Sequence, residues 1–159
     1  MTTARKLIAY SALVESRLIY GLSTGSFTKA ELRRLDGFQA KCLRTILRIA
    51  HSQFSRVSNA AVRERANWKS ASQCLLEQQL VLFGKVLRSP FEDPLHQVSF
   101  VPGSLTPATS RYIRNVGRPR KEWVPELLPH AVRMAGSEQN LKALVQDPIR
   151  WKRIVQNVA

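Results

Sequence analysis

Any chemistry in this chain would have to come from three histidines, two cysteines and eleven carboxylates, and their spacing offers little of it. Metal-assisted phosphoryl transfer needs two or three carboxylates converging on divalent ions. The only adjacent acids are Glu92-Asp93, set in a proline-rich stretch with no evident third ligand, and they read as ordinary loop acids. His51, His96 and His130 stand too far apart for a metal-ligand spacing. Cys42 and Cys74 make neither a zinc knuckle nor a disulfide framework; both fall on apolar helical faces and read as small buried hydrophobes of a reducing compartment. No Gly-rich phosphate loop is present. The expectation is a chain with no catalytic residue, cofactor or metal, and not an enzyme by itself.

What the chain has in excess is positive charge. Its 159 residues hold 25 Lys and Arg against 11 Asp and Glu, a formal charge of +14. Such an excess points to a polyanionic partner, because neutralising phosphates releases condensed counterions. Residues 1 to 90 carry 15 Lys/Arg against 5 Asp/Glu, and the remainder 10 against 6, so the first part dominates. Two clusters stand out. Arg33, Arg34, Lys41, Arg44 and Arg48 gather on one arc of a helix that no acid shares, and Arg114, Arg118, Arg120 and Lys121 belong to a second run free of acids. These nine are the candidate nucleic-acid-binding residues. Cations in such a ladder grip a duplex by its phosphates without reading bases.

The elements that must position them are helical. Leu7, Tyr10, Val14, Leu18 and Gly21 make one apolar stripe in a first helix over Thr3 to Leu22. Thr28-Lys29-Ala30-Glu31 is a capping-box pattern opening a second, which is expected to run to about Ala50 with Leu35, Phe38, Cys42, Ile46 and Ile49 on its packing side. Ser58-Asn59 caps a short helix, and a long apolar one follows from about Lys69 to Arg88. Gly84 inside it implies close helix packing or backbone approach. From Pro90 to Val116 prolines and glycine mark an irregular connector, with a short extended piece at Gln97 to Val101. Helix returns through Trp123 and Leu127, stops at Gly136, restarts at Ser137, and restarts again at Asp147-Pro148. The fold class expected is all-α, with a basic bundle over 1–89, the connector over 90–116 and a C-terminal helical segment over 117–159.

Within that last segment lies Gly117-Arg118-Pro119-Arg120-Lys121-Glu122-Trp123-Val124, followed by Asp147-Pro148-Ile149-Arg150-Trp151-Lys152. The Gly-Arg-Pro core has two readings. It is a turn pinned at a helix start, or an AT-hook-like element that lays arginines into a narrow A/T-rich minor groove. Trp123 and Trp151 could stack on bases, or pack as core with Leu127 and Ile154.

Those two motifs, together with Phe38-Gln39-Ala40-Lys41-Cys42-Leu43-Arg44-Thr45-Ile46-Leu47 and Leu82-Phe83-Gly84-Lys85-Val86-Leu87-Arg88, resemble the C-terminal, thumb and post-thumb region of LINE-type non-LTR retrotransposon reverse transcriptases. The likeness runs in the family's order from about Leu7 to Val155; Lys85 stands where that family often has His. It implies a thumb-like bundle holding template-primer nucleic acid, an RNA–DNA hybrid or a DNA or RNA duplex, without sequence preference. It also implies a non-catalytic fragment of an RNA-directed DNA polymerase, since the paired aspartates of a palm are missing, and a missing palm as a further partner. The alternatives are a structural or interaction remnant and an AT-hook-like DNA-binding protein.

No stretch reaches the roughly 18 continuous apolar residues of a membrane span. The run after Arg5-Lys6 is broken by Tyr10, Ser11, Glu15 and Arg17, unlike a secretory signal. A nuclear or cytoplasmic location, no secretion and no membrane partner are expected. Met1 leads almost directly into a packing helix, so exposed apolar surface is expected there.

Overall fold

The computed structural model describes residues 1–108 and 122–157. The protein is all-α: among the described residues there are ten α-helices and a single isolated β-bridge, Phe100 with Pro107. It divides into two compact units. One comprises Met1–Ser23 and Phe27–Leu76, the other Thr24–Ser26 and Glu77–Ala159, so the division falls inside the long helix.

In the first unit, α1 (Thr3–Tyr10) passes through a π-helical turn (Ser11–Glu15) into α2 (Ser16–Ile19). The turn adds one residue to the helical repeat. Inward positions therefore run Tyr10, Glu15, Ile19 instead of Tyr10, Val14, Leu18, and Val14 is left exposed. The capping box forms as its pattern requires. Glu31 Oε2 accepts from the Thr28 amide at 2.7 Å, and Thr28 Oγ1 accepts from the Glu31 amide at 3.3 Å. It opens α3 (Lys29–Leu47), which stops three residues short of Ala50 because Arg48 turns left-handed at φ 55°. The buried side of α3 is Gln39, Ala40, Leu43 and Arg44. It is rotated from the expected stripe, and Phe38 is 46 % exposed.

After α4 (Ser52–Ser55), Ser58 caps α5 (Asn59–Ala66) through the Ala61 amide at 3.1 Å, and Asn67 closes it at φ 50°. Tyr10, Leu43, Val62 and Ala66 form the apolar centre, with Leu7, Ile46, Val57 and Trp68 packed around it. A polar hub sits beside it. Gln39, fully buried, donates to Glu15 Oε1 at 2.9 Å and to Lys69 O at 3.0 Å, and accepts from the Ala71 amide at 3.0 Å. Trp68 Nε1 donates to the same Glu15 carboxylate at 3.0 Å. Every polar atom of the Gln39 side chain is thereby employed, which is what lets an amide survive at zero exposure. Asp36 accepts from the Ser72 amide and hydroxyl at 2.9 and 2.7 Å, placing a carboxylate at the start of α6 (Ala71–Arg88), where free amides and the helix dipole favour it.

The second unit holds the later turns of α6, then α7 (Pro94–Ser99), α8 (Trp123–Ala135), α9 (Glu138–Gln146) and α10 (Pro148–Asn157). Between α6 and the bridge the connector is more regular than its prolines suggest. Asp93 caps α7 with Pro94 in its first turn, so Gln97 to Ser99 is helical, and extended backbone begins only at Phe100. Farther on, Gly136 at φ 81°, the Ser137 cap and the Asp147 cap stand where the sequence places them. Phe83, Phe100, Leu127, Leu141, Val145, Trp151 and Val155 fill the core.

Gly84 meets Trp151. The indole Nε1 donates to Leu80 O at 2.8 Å, deep in the core, and reaches that helical carbonyl across the space a Cβ at position 84 would fill. A methyl there would lie 2.5 Å from Trp151 Cδ1 and closer still to Nε1. Of the two readings of Trp151, this is the packed one.

Candidate nucleic-acid interface

The first unit contains thirteen Lys and Arg and four Asp and Glu. Three of those four acids accept hydrogen bonds from other groups of the unit, and one of them, Glu15, is buried. Glu15 takes the Gln39 and Trp68 donors, Asp36 takes both Ser72 donors, and Glu31 takes the Thr28 amide and hydroxyl. Glu31 and Asp36 thereby serve helix N-termini, and Glu15 serves the polar hub.

On that arc Arg33, Arg34, Lys41 and Arg48 are exposed. Arg34, Lys41 and Arg48 recur every seven residues, a step of roughly 10.5 Å along a helix with a drift of only about 20° per step. Arg48, as the left-handed cap, leaves the helical path at the end of the row.

Arg44 does not belong to the arc. It is 6 % exposed, and its guanidinium is directed at the segment that follows α3. Nη1 donates to Ala50 O at 3.1 Å and Ser55 Oγ at 3.3 Å; Nη2 donates to Asn59 Oδ1 at 3.2 Å and to Val57 O. The physical reason is its place on the helix, one turn beyond buried Ala40 and next to buried Leu43. Chain returning from α4 covers that edge with carbonyls that need donors. An arginine fork satisfies four acceptors at once, which a lysine cannot do.

Arg114, Arg118, Arg120 and Lys121, and with them the Gly-Arg-Pro turn, lie outside the described residues. Trp123, at the start of α8, is half-buried with its ring centroid 5.9 Å from that of Phe83.

Sequence reasoning missed two residues on the first unit's surface. Phe54 is 82 % exposed, and Arg56, also exposed, closes α4 in the left-handed conformation at φ 53°. A signal was available in the local string, an aromatic set directly among Ser52, Gln53, Ser55 and Arg56. Apolar side chains also face outward near the start of the chain, where Ile8, Leu13 and Tyr20 are exposed.

Burial shifts two titratable groups of this unit. The Tyr10 hydroxyl is buried without a partner; desolvation first, then the Glu15 carboxylate and the Cys42 and Cys74 thiols, holds its pKa well above the ordinary range. Burial likewise pushes the Cys42 thiol up, against the opposing pull of Lys41. Among the described residues no group of three or more His, Cys, Asp or Glu could hold a metal ion, and no helix is long and apolar enough to cross a membrane. In the second unit an open apolar groove of about 320 Å³ is bounded by Leu82, Val86, Leu95, Val98 and Trp123, and none of the exposed cations above lines it. No protein-family model matches the chain, and neither does any curated protein or solved structure.

Proposed function

We propose that the chain binds the phosphate backbone of duplex nucleic acid, an RNA–DNA hybrid in the first instance, through the exposed cationic face of α3, and carries no catalysis of its own. One observation supports this above the rest: Arg33, Arg34, Lys41 and Arg48 stand exposed in a unit with thirteen Lys and Arg against four acids, three of which accept hydrogen bonds from other groups. Exposed cations close together along one helix repel one another, and a row of phosphates relieves that repulsion while releasing counterions. The four motifs that resemble a LINE-type reverse transcriptase favour the same partner, as the thumb-like part of such an enzyme, with the palm as a second one.

The test is fluorescence anisotropy of a labelled RNA–DNA hybrid over a salt series, comparing the wild type with Arg33→Gln/Arg34→Gln/Lys41→Gln. Arg44 is left intact because its removal would disturb the fold. Removing one cation from a phosphate lowers the slope of log K against log salt by about 0.9. The triple variant is expected to bind more weakly, with a slope shallower by about 2 to 3, and with unchanged helix content by circular dichroism. Equal affinity and slope would refute the reading.

A further inference from the structure

The segment between α3 and α5 uses its backbone in an unusual way. α3 closes on Arg48 at φ 55° and α4 closes on Arg56 at φ 53°. A Cβ is crowded in that conformation, so helix ends usually place Gly or Asn there. α5 obeys the preference with Asn67. At the two earlier ends the chain keeps arginine instead, and both side chains are exposed. Left-handed backbone at two helix ends eight residues apart, both occupied by exposed arginine, sets two guanidinium groups on the same short segment.

Between them stands Phe54. It is among the most exposed apolar residues of the protein, and it is held firmly. The Phe54 and Ser55 amides donate to His51 O at 2.9 and 3.0 Å, and the Arg56 amide donates to Ser52 O at 3.1 Å. From beneath, the buried Arg44 guanidinium gathers Ala50, Ser55, Val57 and Asn59 about itself. The result is an aromatic ring presented to solvent on a pinned turn with a guanidinium on either side in sequence. Its neighbours His51, Ser52 and Gln53 are exposed and polar, and Val57, three residues on, is turned to the core of the unit.

We infer that Phe54, flanked by Arg48 and Arg56, is a stacking platform for an unpaired base of a single-stranded nucleic acid, with the two guanidinium groups taking phosphates of the same strand. Charge complementarity selects the polyanion, and an exposed π-face selects a base, since every base offers one of its own. A paired base inside a blunt duplex offers no such face. The inference rests on the nucleic-acid reading above and adds a substrate class to it: a strand with unpaired bases, which a face gripping duplex phosphates does not by itself require.

The experiment measures anisotropy with two probes, a labelled oligothymidylate and a blunt RNA–DNA hybrid. Phe54→Ala is expected to weaken oligothymidylate binding by about tenfold, the loss of one stacked base, and to leave hybrid binding unchanged. Phe54→Trp is expected to retain both. No loss on oligothymidylate, or an equal loss on both probes, would overturn the platform. Arg56→Gly is expected to weaken oligothymidylate binding while the melting temperature holds or rises; undiminished binding would remove Arg56 from the site. Failure of the duplex reading shows elsewhere, as hybrid binding that does not change in Arg33→Gln/Arg34→Gln/Lys41→Gln, and the Phe54 comparison is scored independently of it.

Discussion

Replacing Gly84 by Ala puts the packing of the second unit to a quantitative test. In an exposed helix the change would stabilise by about 1 kcal/mol, because glycine is the poorer helix former. At position 84 the new methyl falls 2.5 Å from Trp151 Cδ1, well inside van der Waals contact, and the ring must give way. Displacing it breaks the 2.8 Å bond from Nε1 to Leu80 O and strands a donor in a site where Trp151 is 1 % exposed. A buried donor without a partner costs about 1–3 kcal/mol, and the strain of overpacking adds about 1–3 kcal/mol more. Set against the propensity gain of about 1 kcal/mol, the net is a destabilisation of about 1–5 kcal/mol. Urea unfolding followed by far-ultraviolet circular dichroism measures it. The same change in a Trp151→Leu background, where the indole no longer stands beside position 84, should be neutral or stabilising by up to about 1 kcal/mol. Gly84→Ala that stabilises the wild type, or that costs the same in both backgrounds, would show that the indole does not set the requirement for glycine.

Two further changes follow from the first unit. Tyr10→Phe should raise stability by about 1 kcal/mol at neutral pH, since it removes a buried hydroxyl that has no partner. Because the folded state holds that proton more tightly than the unfolded chain does, stability is complete below the ordinary tyrosine value and falls by about 1.4 kcal/mol per pH unit above about pH 10. The Phe variant lacks this decline, and a wild-type urea midpoint that stays flat from about pH 9 to about 11 would contradict it. Arg44→Met keeps the aliphatic stem but removes the donors to four acceptors, and should cost about 3 kcal/mol or more, because partly buried carbonyls are left unpaired. Hydrogen exchange should show residues 50–57 losing protection first, and unaltered exchange there would argue against the clamp.

Local signals in the sequence were sufficient wherever a helix end is decided by the residues at that end. The Thr28–Glu31 box, the Ser58 cap, Gly136, Ser137 and Asp147-Pro148 all act within one turn of backbone, and each is found as expected. The same Asp-Pro signal stands at Asp93-Pro94, but the prolines and glycine that follow mask it, and α7 is missed for that reason. Features that depend on distant chain were legible only by half. Gly84 implies a close neighbour, whereas the identity of Trp151, sixty-seven residues later, is a tertiary fact. Arg44 reads as one more cation on a ladder until the chain folds back over it with carbonyls to satisfy. The stripe on α1 fails beyond Tyr10 because a constant period of 3.6 residues cannot anticipate a five-residue step. Of the candidate interface, the exposed cations are readable from helical spacing, while Phe54 and Arg56 depend on a four-residue helix too short to leave a periodic trace.

The five-residue step also says where this fold has slack in its length. Tyr10 and Ile19 are both buried, nine residues apart, with Glu15 buried five residues after the first and four before the second. Shortened by one of the exposed residues between them, Ala12 or Leu13, the chain would bring the same three side chains to a four-and-four spacing, the repeat of an uninterrupted α-helix. α1 and α2 are in that sense one helix carrying a single surplus residue, stored in the π-helical turn and let out on the solvent side. This stretch can therefore shed a position while the inward contacts of Tyr10, Glu15 and Ile19 stay in register, a freedom that α3, held by Gln39, Leu43 and Arg44, does not have.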